Sequence, residues 1–410
     1  MATNTDTVIV GGGQAGLSVS FSLTQQGRDH VVLEQAARVA PVWRDQRWDS
    51  FTLVLPNWTI RLPGGEYRGD DPDGFMSRDQ FATYIEQYAQ RVNPPIRYGM
   101  RVTAVEAENG GYLVKTGAET FQASNVVIAT GSFQQPKIPS FSANLPAGIQ
   151  QLHSGAYRNP QALPPGAVLV VGSGQSGSQI AEELHQSGRQ VYLCVSSAGR
   201  FPRRYRGKDT VWWADAAGFF DRTADKLPSP KARFAGAPVV TGKDGGHTIN
   251  LHRFAREGVV LLGHIQGAQD DHIVLAPDLK ETLAKVDKVE ADLVKMADDY
   301  IEKKGLDAPE ETLPQLRDGY DAEVITELDL KAAGITSVIW AMGYQFDYSL
   351  VKLPVFDADG YPRQVRGRTE YPGLYFIGLL WMYKFKSGNL LGVGEDAAFV
   401  ASDIAGREHR

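Results

Sequence analysis

The stretch Thr7–Gly16, TVIVGGGQAG, decides the fold. Its first four residues predict a short buried strand, and the glycines Gly11, Gly13 and Gly16 then match the pattern GxGxxG. In this pattern the first glycine allows a tight turn, the second lets the backbone approach a pyrophosphate, and the third lets helix and strand pack closely. The stretch therefore predicts a dinucleotide-binding turn whose helix N-terminus faces the phosphates.

The residues after this turn complete a nucleotide-binding unit. Apolar residues at helical spacing continue to about Gly27, and Val31–Leu33 predicts a second strand that ends in Glu34. A carboxylate at this place accepts hydrogen bonds from both hydroxyls of an adenosine ribose. The first site is therefore predicted to bind FAD, and a glycine-rich turn without a ligand remains the weaker alternative.

The same pattern occurs a second time, with a different ending. Val168–Val171 predicts a strand, the loop Gly172–Gly177 (GSGQSG) follows, and a helix to about Gly188 leads to a strand at Val191–Val195. No acid follows this strand, and Arg200 stands in its place. Since a carboxylate would repel a 2′-phosphate and an arginine would bind it, the second site is predicted to bind NADPH. Further arginines follow, for which a solvated charged loop is the alternative: Arg203, Arg204 and Arg206.

Two such units predict an α/β fold with two Rossmann-like dinucleotide-binding domains. A chain of 410 residues also exceeds the roughly 250–300 residues at which single cores stop growing. Strands are expected at 125–130, 338–341 and 373–378, and a final helix from Gly392. The NADPH domain is thus expected to be inserted in a discontinuous FAD domain. The predicted boundaries are 1–155 with 331–410 for the FAD domain and 156–330 for the NADPH domain, including a helical insertion at about 208–330.

Composition and charge exclude several other classes of protein. The chain has 42 basic and 48 acidic residues, a net charge of −6, and this mild acidity argues against a nucleic-acid partner. Its one cysteine, Cys194, allows no CxxC pair, which excludes dithiol reductase chemistry. The eight histidines form no HExxH motif, so no metal site is expected.

The ends of the chain give an expectation about its location. Met1–Thr7 has neither a basic nor an apolar segment of a signal peptide, and 406–410 carries no membrane anchor. No apolar run approaches the roughly 18 residues needed to span a bilayer. We therefore expect a cytoplasmic protein. A homodimer is compatible with the sequence, which leaves the oligomeric state open.

The region between the two units predicts one long helix, Asp278–Gly305. Apolar residues recur through it at helical spacing, which indicates a packing face. Asp278 with Glu281 resembles a capping box. The aromatic residues before the helix are expected in the core, or alternatively in a lid over the substrate: Trp212, Trp213, Phe219 and Phe220.

Together these motifs resemble the class B flavin-containing monooxygenases over most of the chain except about 208–330. The similarity rests on both GxGxxG loops, on Ala129–Pro139 and on Ala341–Tyr344, where Met342 replaces the threonine usual in the family. The family fingerprint FxGxxxHxxx(F/Y/W) is half present, because only His153 and Tyr157 fit it. The resemblance implies that His153 couples the two domains.

The resemblance also implies roles for individual residues. The stretch 42–57 (VWR…LPN) looks like the part of the family that packs on FAD, with an asparagine, here Asn57, beside the flavin; a turn asparagine next to Pro56 is the alternative. Asn57 is the predicted catalytic residue. The predicted cofactor-binding residues are Gly11, Gly13, Gln14, Gly16, Glu34, Trp43, Arg44, Val102, Gly131, Gly172, Gly174, Gln175, Ser176, Gly177, Ser196, Arg200 and Gly378.

The implied reaction is that of an NADPH-dependent FAD monooxygenase acting on a small organic substrate and O₂ through a C4a-(hydro)peroxyflavin. Oxygenation of nitrogen or sulfur is the first expectation. Baeyer–Villiger or decarboxylative oxidation of a carbonyl or oxo-acid substrate is the alternative, since the chain also looks like the plant indole-3-pyruvate monooxygenases. An NADPH oxidase or flavin reductase without oxygenation, and a nucleotide-binding sensor without catalysis, remain as further classes.

Overall fold

The computed structural model of the chain describes residues 2–407. Its strands, in chain order, are β1 (Thr3–Val10), β2 (His30–Leu33), β3 (Arg61–Leu62), β4 (Gly65–Glu66), β5 (Ile96–Arg97), β6 (Val102–Glu108), β7 (Gly111–Thr116), β8 (Thr120–Ile128), β9 (Gln135–Pro136), β10 (Gln150–His153), β11 (Ala167–Val171), β12 (Val191–Cys194), β13 (Arg204–Tyr205), β14 (Lys208–Asp209), β15 (Val260–Leu262), β16 (Ile265–Gln269), β17 (His272–Leu275), β18 (Glu327–Asp329), β19 (Ile335–Trp340), β20 (Tyr344–Gln345) and β21 (Leu374–Phe376).

The helices connect these strands. They are α1 (Gln14–Gln25), α2 (Pro41–Asp45), α3 (Arg78–Val92), α4 (Gln175–Gln186), α5 (Thr210–Ala216), α6 (Leu251–Glu257), α7 (Leu279–Lys304), α8 (Asp318–Asp321) and α9 (Val393–Gly406), with 3-10 turns at Asn57–Thr59, Ser140–Asn144, Pro160–Ala162, Ala224–Lys226, Pro230–Phe234, Lys243–Gly245 and Phe385–Gly388.

The first sheet has seven strands in the order β5-β2-β1-β8-β7-β6, and β21 pairs in parallel with β8. The predicted strand–turn–helix unit β1–α1–β2 lies at its centre. Neighbouring residues of its inner strands face opposite sides of the sheet. Ile9 and Val127 pack in a cluster with α1 and α9, whereas Val8 and Val126 pack with the segment around Tyr348. The sheet is therefore buried on both faces.

The second sheet repeats this arrangement with five parallel strands in the order β10-β19-β11-β12-β15. Its strand–turn–helix unit is β11–α4–β12, where residues 168–171 pair with 191–194. Both units predicted from the glycine patterns are thus present, and the predicted class of α/β fold with two Rossmann-like units is confirmed.

Strand pairing does not coincide with the expected domain boundaries at 155 and 331. The strands β10 (150–153) and β19 (335–340) both belong to the second sheet, so by sheet membership this unit runs from about 150 to 340. The region 208–330 is not simply a helical insertion either, because β15 completes the second sheet and β16, β17 and β18 form an antiparallel sheet. Pairing between distant segments, which local patterns do not carry, sets these limits.

The two segments that cross between the sheets pair with each other. β9 lies antiparallel to β20, with Tyr344 opposite Pro136. A second connection joins residues 219–224 to the C-terminal part of the chain, where the N–H of Phe385 donates to the carbonyl of Arg222 at 2.9 Å. The middle of the chain is therefore tied to its C-terminal part.

The predicted long helix is confirmed as α7, which ends at Gly305 in the left-handed conformation (φ 61°). Asp278 precedes it, but its carboxylate accepts from the backbone and ring of His264, so the expected capping box does not form. Within residues 2–407, no helix is both long enough and apolar enough to cross a membrane.

Candidate dinucleotide-binding site

The two glycine loops have the same geometry. Gly11 and Gly172 have positive φ values of 111° and 105°. A Cβ atom at either would lie 2.6 or 2.7 Å from the carbonyl oxygen of Ala129 or Ala341, respectively. Each loop is thus pressed against the end of the neighbouring strand, β8 or β19, where only glycine fits.

The third glycine of each loop lies on the first. A Cβ atom at Gly16 would be 1.9 Å from the oxygen of Gly11, and one at Gly177 would be 1.8 Å from the oxygen of Gly172. The second glycines differ, because a Cβ atom at Gly13 or Gly174 would meet nothing within 4 Å. In each loop the first and third glycines are therefore in close contact with protein atoms, whereas the space in front of the second glycine is free.

The open side of each loop faces unpaired helix N–H groups. Gly13 and Gly174 are the N-cap residues of α1 and α4, and neither helix has a side-chain cap. Uncapped N–H groups and the helix dipole favour an anion at this place. Both loops thus have the space and the charge for a diphosphate.

Glu34 lies beside the first loop and is buried. Its carboxylate accepts from the N–H of Gly12 at 2.7 Å and from the N–H of Ala36 at 2.8 Å. Each carboxylate oxygen retains further acceptor capacity. Two backbone donors thus hold the acceptor that the sequence predicts for a ribose.

A hydroxyl network takes the place of the carboxylate at the second loop. The Oγ of Ser173 accepts from the N–H of Ser196 at 2.8 Å, and the two hydroxyl oxygens lie 3.3 Å apart. Ser176 lies in the first turn of α4 and is partly exposed, while the amide of Gln175 is bonded to the backbone of Val240. A serine therefore stands beside this loop where the first loop has Glu34.

Arg200 is close to the second loop in the chain but is engaged elsewhere. Its guanidinium donates to Asp287 at 2.7 Å and to Glu290 at 2.5 Å, and both partners lie on α7. Burial opposes the charge of Asp287, but hydrogen bonds from His252 and Tyr320, together with Arg200, hold its pKa below the usual range. A 2′-phosphate at Arg200 would have to compete with these two carboxylates.

The other arginines of the basic run differ in exposure, since Arg203 is buried, Arg206 is half-buried and Arg204 is exposed. Arg203 is buried and pairs with Asp209 at 2.5 Å. Arg204 donates to backbone carbonyls, and Arg206 pairs with Asp298 at 2.9 Å. Arg203 thus contacts the residue that caps α5, and Arg206 contacts α7.

The remaining predicted cofactor residues make different contacts with the surrounding segments. A Cβ atom at Gly378, which has φ 88°, would be 2.8 Å from the Cβ of Ala15, so this glycine lets the segment after β21 contact α1. The amide of Gln14 donates to Gly388 of the same segment. Val102 begins β6, two residues after Met100, whose N–H donates to the carbonyl of Glu34.

The last three of these residues lie in loops and in α2. Gly131 follows β8 and has φ 74°. Trp43 packs edge to face on Phe81, with ring centroids 4.7 Å apart, and Arg44 pairs with Glu86 at 2.9 Å. α2 is thus fastened to α3 by both residues.

Asn57 is buried at the start of a 3-10 turn. Its Nδ2 donates to the carbonyl of Asp71 at 2.9 Å, and its Oδ1 accepts from the N–H of Met76 at 3.1 Å. The side chain therefore fixes the loop 71–76, as the turn alternative expects, and one of its N–H bonds has no partner among the described residues. A role beside the flavin remains a prediction.

His153 lies at the end of β10, and its predicted role in coupling the two domains stays a prediction. Its Nε2 lies 2.9 Å from the carbonyl of Gly343, and its Nδ1 accepts from the N–H of Gly155 at 3.1 Å. Burial lowers the pKa of His153. A neutral ring thus joins β10 to the segment after β19, with Tyr344 packed edge to face against it.

Sequence reasoning did not single out Arg47, two residues after α2. Its guanidinium lies within 5.5 Å of the ring centroids of three aromatic residues, Trp43, Phe51 and Phe133. The only sequence signal was its position inside the stretch 42–57, and its surroundings come from segments far apart in the chain.

The fold and the two loops define a two-domain dinucleotide-binding oxidoreductase. Residues 8–211 match the family described as pyridine nucleotide-disulphide oxidoreductase. An uncharacterized CzcO-like oxidoreductase of Geobacillus kaustophilus is 32% identical over 97% of this chain and 98% of its own length. A probable indole-3-pyruvate monooxygenase of Arabidopsis thaliana, YUCCA3, is 26% identical over 98% of this chain and 86% of its own length.

A solved structure shows the same fold along the whole chain. The flavin-containing monooxygenase from Stenotrophomonas maltophilia superposes with a TM-score of 0.68 at 19% identity, covering 99% of each chain. By its 32% identity over 97% of its length, the chain belongs to the same family as the CzcO-like oxidoreductase, and the flavin-containing monooxygenase shares its fold. Dithiol chemistry is absent here, because the single cysteine, Cys194, is buried and burial raises its pKa to about 12.

Proposed function

We propose that this enzyme is an NADPH-dependent FAD monooxygenase that inserts one oxygen atom of O₂ into a small organic substrate, most simply at nitrogen or sulfur. The observation that carries the proposal is that the two glycine loops have the same geometry but different side chains beside them. The first loop has the carboxylate of Glu34 beside it, and the second has only the hydroxyls of Ser173 and Ser196.

The residues present fit both cofactors. Gly11, Gly13, Gly16 and Glu34 would hold FAD, with space in front of Gly13 and a buried ribose acceptor at Glu34. The second loop would hold NADPH, because it has the same space in front of Gly174 and has Ser196 where the first loop has the carboxylate of Glu34. The predicted roles of Gln14, Ser176 and Gly378 stay part of this proposal.

Bound FAD would supply hydride acceptance and reaction with O₂, so the chain has no need of a general acid or base of its own. The protein's contribution is to position the cofactors and to exclude water from them. The uncapped starts of α1 and α4 bind diphosphates, and Asn57 keeps the loop 71–76 closed. Neutral His153 holds the second crossing segment in place without moving a proton.

A carbonyl or oxo-acid substrate is the second candidate. The observation that favours it is the similarity along 98% of this chain to the probable indole-3-pyruvate monooxygenase. Such a substrate would be oxidised with loss of CO₂ or by insertion next to the carbonyl.

One assay tests the proposal and separates the candidates. The purified holoenzyme is mixed with NADPH under air, with and without panels of amines, sulfides, ketones and 2-oxo acids, and hydrogen peroxide is measured with the product. Substrate-dependent NADPH oxidation with one product per NADPH supports a monooxygenase. Equal peroxide and NADPH with every panel would instead identify an oxidase, and no NADPH oxidation at all would contradict both.

A further inference from the structure

Arg47 stands out because its charge is surrounded by aromatic rings. The centre of its guanidinium lies 5.1 Å from the ring centroid of Trp43, 5.5 Å from that of Phe51 and 5.0 Å from that of Phe133. One nitrogen donates to the carbonyl of Gln46 at 2.9 Å. The other N–H groups have no hydrogen-bond partner among residues 2–407.

No carboxylate balances this charge in the described part of the chain. The acidic residues nearest in sequence or in neighbouring helices are bound to other cations: Asp45 to Arg38, Asp49 to Arg78, and Glu86 to Arg44. Burial lowers the pKa of Arg47, and the nearby Tyr344 opposes this shift. The side chain of Arg47 is partly exposed, so its unused N–H groups remain accessible to an anion.

The position of Arg47 indicates which kind of ligand would supply an anion. Phe133 follows the end of β8, the strand that touches Gly11, and it packs on Tyr344 at 5.2 Å. Tyr344 in turn follows the end of β19, the strand that touches Gly172. Arg47 is thus placed between the carboxyl edges of the two sheets, where ligands of doubly wound folds bind.

We propose that Arg47 binds a phosphate group of a dinucleotide at the junction of the two sheets. A guanidinium presents a planar fork that matches two phosphate oxygens, and the aromatic rings fix the plane of that fork. The inference rests on the proposed function, since the dinucleotide is FAD or NADPH. The shared chemistry is a phosphate, and the experiment distinguishes the two sources.

The experiment compares wild type with Arg47→Met and Arg47→Gln, which keep bulk but remove the charge. Two quantities are measured: FAD per chain after gel filtration, from absorbance, and the Kd of NADP⁺, from calorimetry on the holoenzyme. We expect one of them to weaken about 10- to 100-fold, the ratio that corresponds to one charge-assisted hydrogen-bonding group. Loss of FAD assigns the flavin dinucleotide, and weaker NADP⁺ binding with normal FAD assigns the nicotinamide dinucleotide.

A matched control is Arg368→Met, since Arg368 also lies on an aromatic ring, that of Phe399 at 5.3 Å, but pairs with Asp403 on α9. Folded Arg47 variants that keep wild-type FAD content and NADP⁺ affinity overturn the inference. If neither neutral variant folds, Arg47→Lys replaces them, because lysine keeps the charge but lacks the planar fork. Wild-type affinity of Arg47→Lys for both FAD and NADP⁺ would then contradict the inference. A wild-type protein that binds neither FAD nor NADP⁺ would contradict the proposed function instead.

Discussion

Arg200 donates to Glu290 at 2.5 Å, and this ion pair holds the segment that follows β12 against α7. The same guanidinium also binds Asp287, so two carboxylates already surround the residue expected to select NADPH. The pair has a functional consequence, because a 2′-phosphate and Glu290 would compete for the same N–H groups.

We predict that Glu290→Gln raises the ratio of kcat/KM for NADPH to that for NADH by about threefold to tenfold, because one competing charge of roughly 1 kcal/mol is removed. Arg200→Ala should lower the same ratio. The measurement is initial-rate kinetics with both nucleotides in three proteins. If neither substitution moves the ratio, Arg200 is a structural residue and the 2′-phosphate is bound elsewhere.

Glu34→Ala should reduce FAD retention, since it removes the ribose acceptor and the bonds to Gly12 and Ala36. The expected loss is about 1.5–3 kcal/mol, the range for hydrogen bonds to a charged group. Glu34→Gln is the matched control, because it keeps one acceptor oxygen and should retain more FAD. Cofactor content and the Kd of reconstitution measure this, and equal retention in all three proteins would remove the basis of the FAD assignment.

The glycines of the first loop should respond differently to the same added methyl group. Alanine in a helix is ordinarily about 1 kcal/mol more favourable than glycine, but Gly16→Ala places a Cβ 1.9 Å from the oxygen of Gly11 and should prevent correct folding. Gly13→Ala meets no protein atom within 4 Å, so it should fold and bind FAD more weakly. Thermal unfolding and FAD content separate the two effects, and a stable, FAD-replete Gly16→Ala would contradict the geometry.

Asn57→Ala should loosen the loop 71–76, because both of its backbone contacts are lost. A buried polar group left without its partner costs about 1–3 kcal/mol, so the melting temperature should fall. If Asn57 also acts beside the flavin, as the resemblance implies, the variant should release more hydrogen peroxide per NADPH oxidised. Asn57→Asp, which keeps one acceptor, is the comparison; lower stability with unchanged coupling would leave Asn57 with the loop role alone.

Two histidines should make stability depend on pH with opposite signs. The hydrogen bond that the ring of His247 donates to Glu182 at 2.7 Å raises the pKa of His247, so its contribution is complete below pH 6.5 and is lost as pH rises through the folded value. Burial lowers the pKa of His153, so its contribution is present above pH 6.5 and is lost as pH falls below that value. Either slope is limited to about 1.4 kcal/mol per pH unit for one proton.

Denaturant unfolding between pH 5 and 8 tests this pair of effects. His247→Gln should flatten the decline on the alkaline side, and His153→Gln should flatten the decline on the acidic side. Each variant serves as the control for the other, and a profile that neither substitution changes would contradict both assignments.

The local parts of the fold were predictable from the sequence, and the parts that depend on distant pairing were not. The GxGxxG loops and α7 carry their own signals, since glycine spacing, helical periodicity and Gly305 act within a few residues. The strand β10 has no such signal, because its place in the second sheet depends on β19. For the same reason the sequence placed Arg200 at a phosphate, whereas its observed partner Asp287 lies 87 residues further along the chain.

The candidate site also has a part that was predictable from the sequence and a part that was not. Glycines are required by the backbone itself, so their spacing predicts the loops and their close contacts. Side-chain roles depend on neighbours that the sequence does not name, such as the backbone partners of Asn57 and the aromatic rings around Arg47.

The pairing of β21 with β8 affects the order in which the two sheets can be completed during synthesis. During synthesis the first glycine loop leaves the ribosome early, but the sheet behind it lacks a strand until residue 376 has been translated. The second sheet needs only residues up to 340, so it can close first. Until then residues 126–128 of β8 lack this partner, so we expect a chain that ends before β21 to have a complete second sheet and an incomplete first sheet.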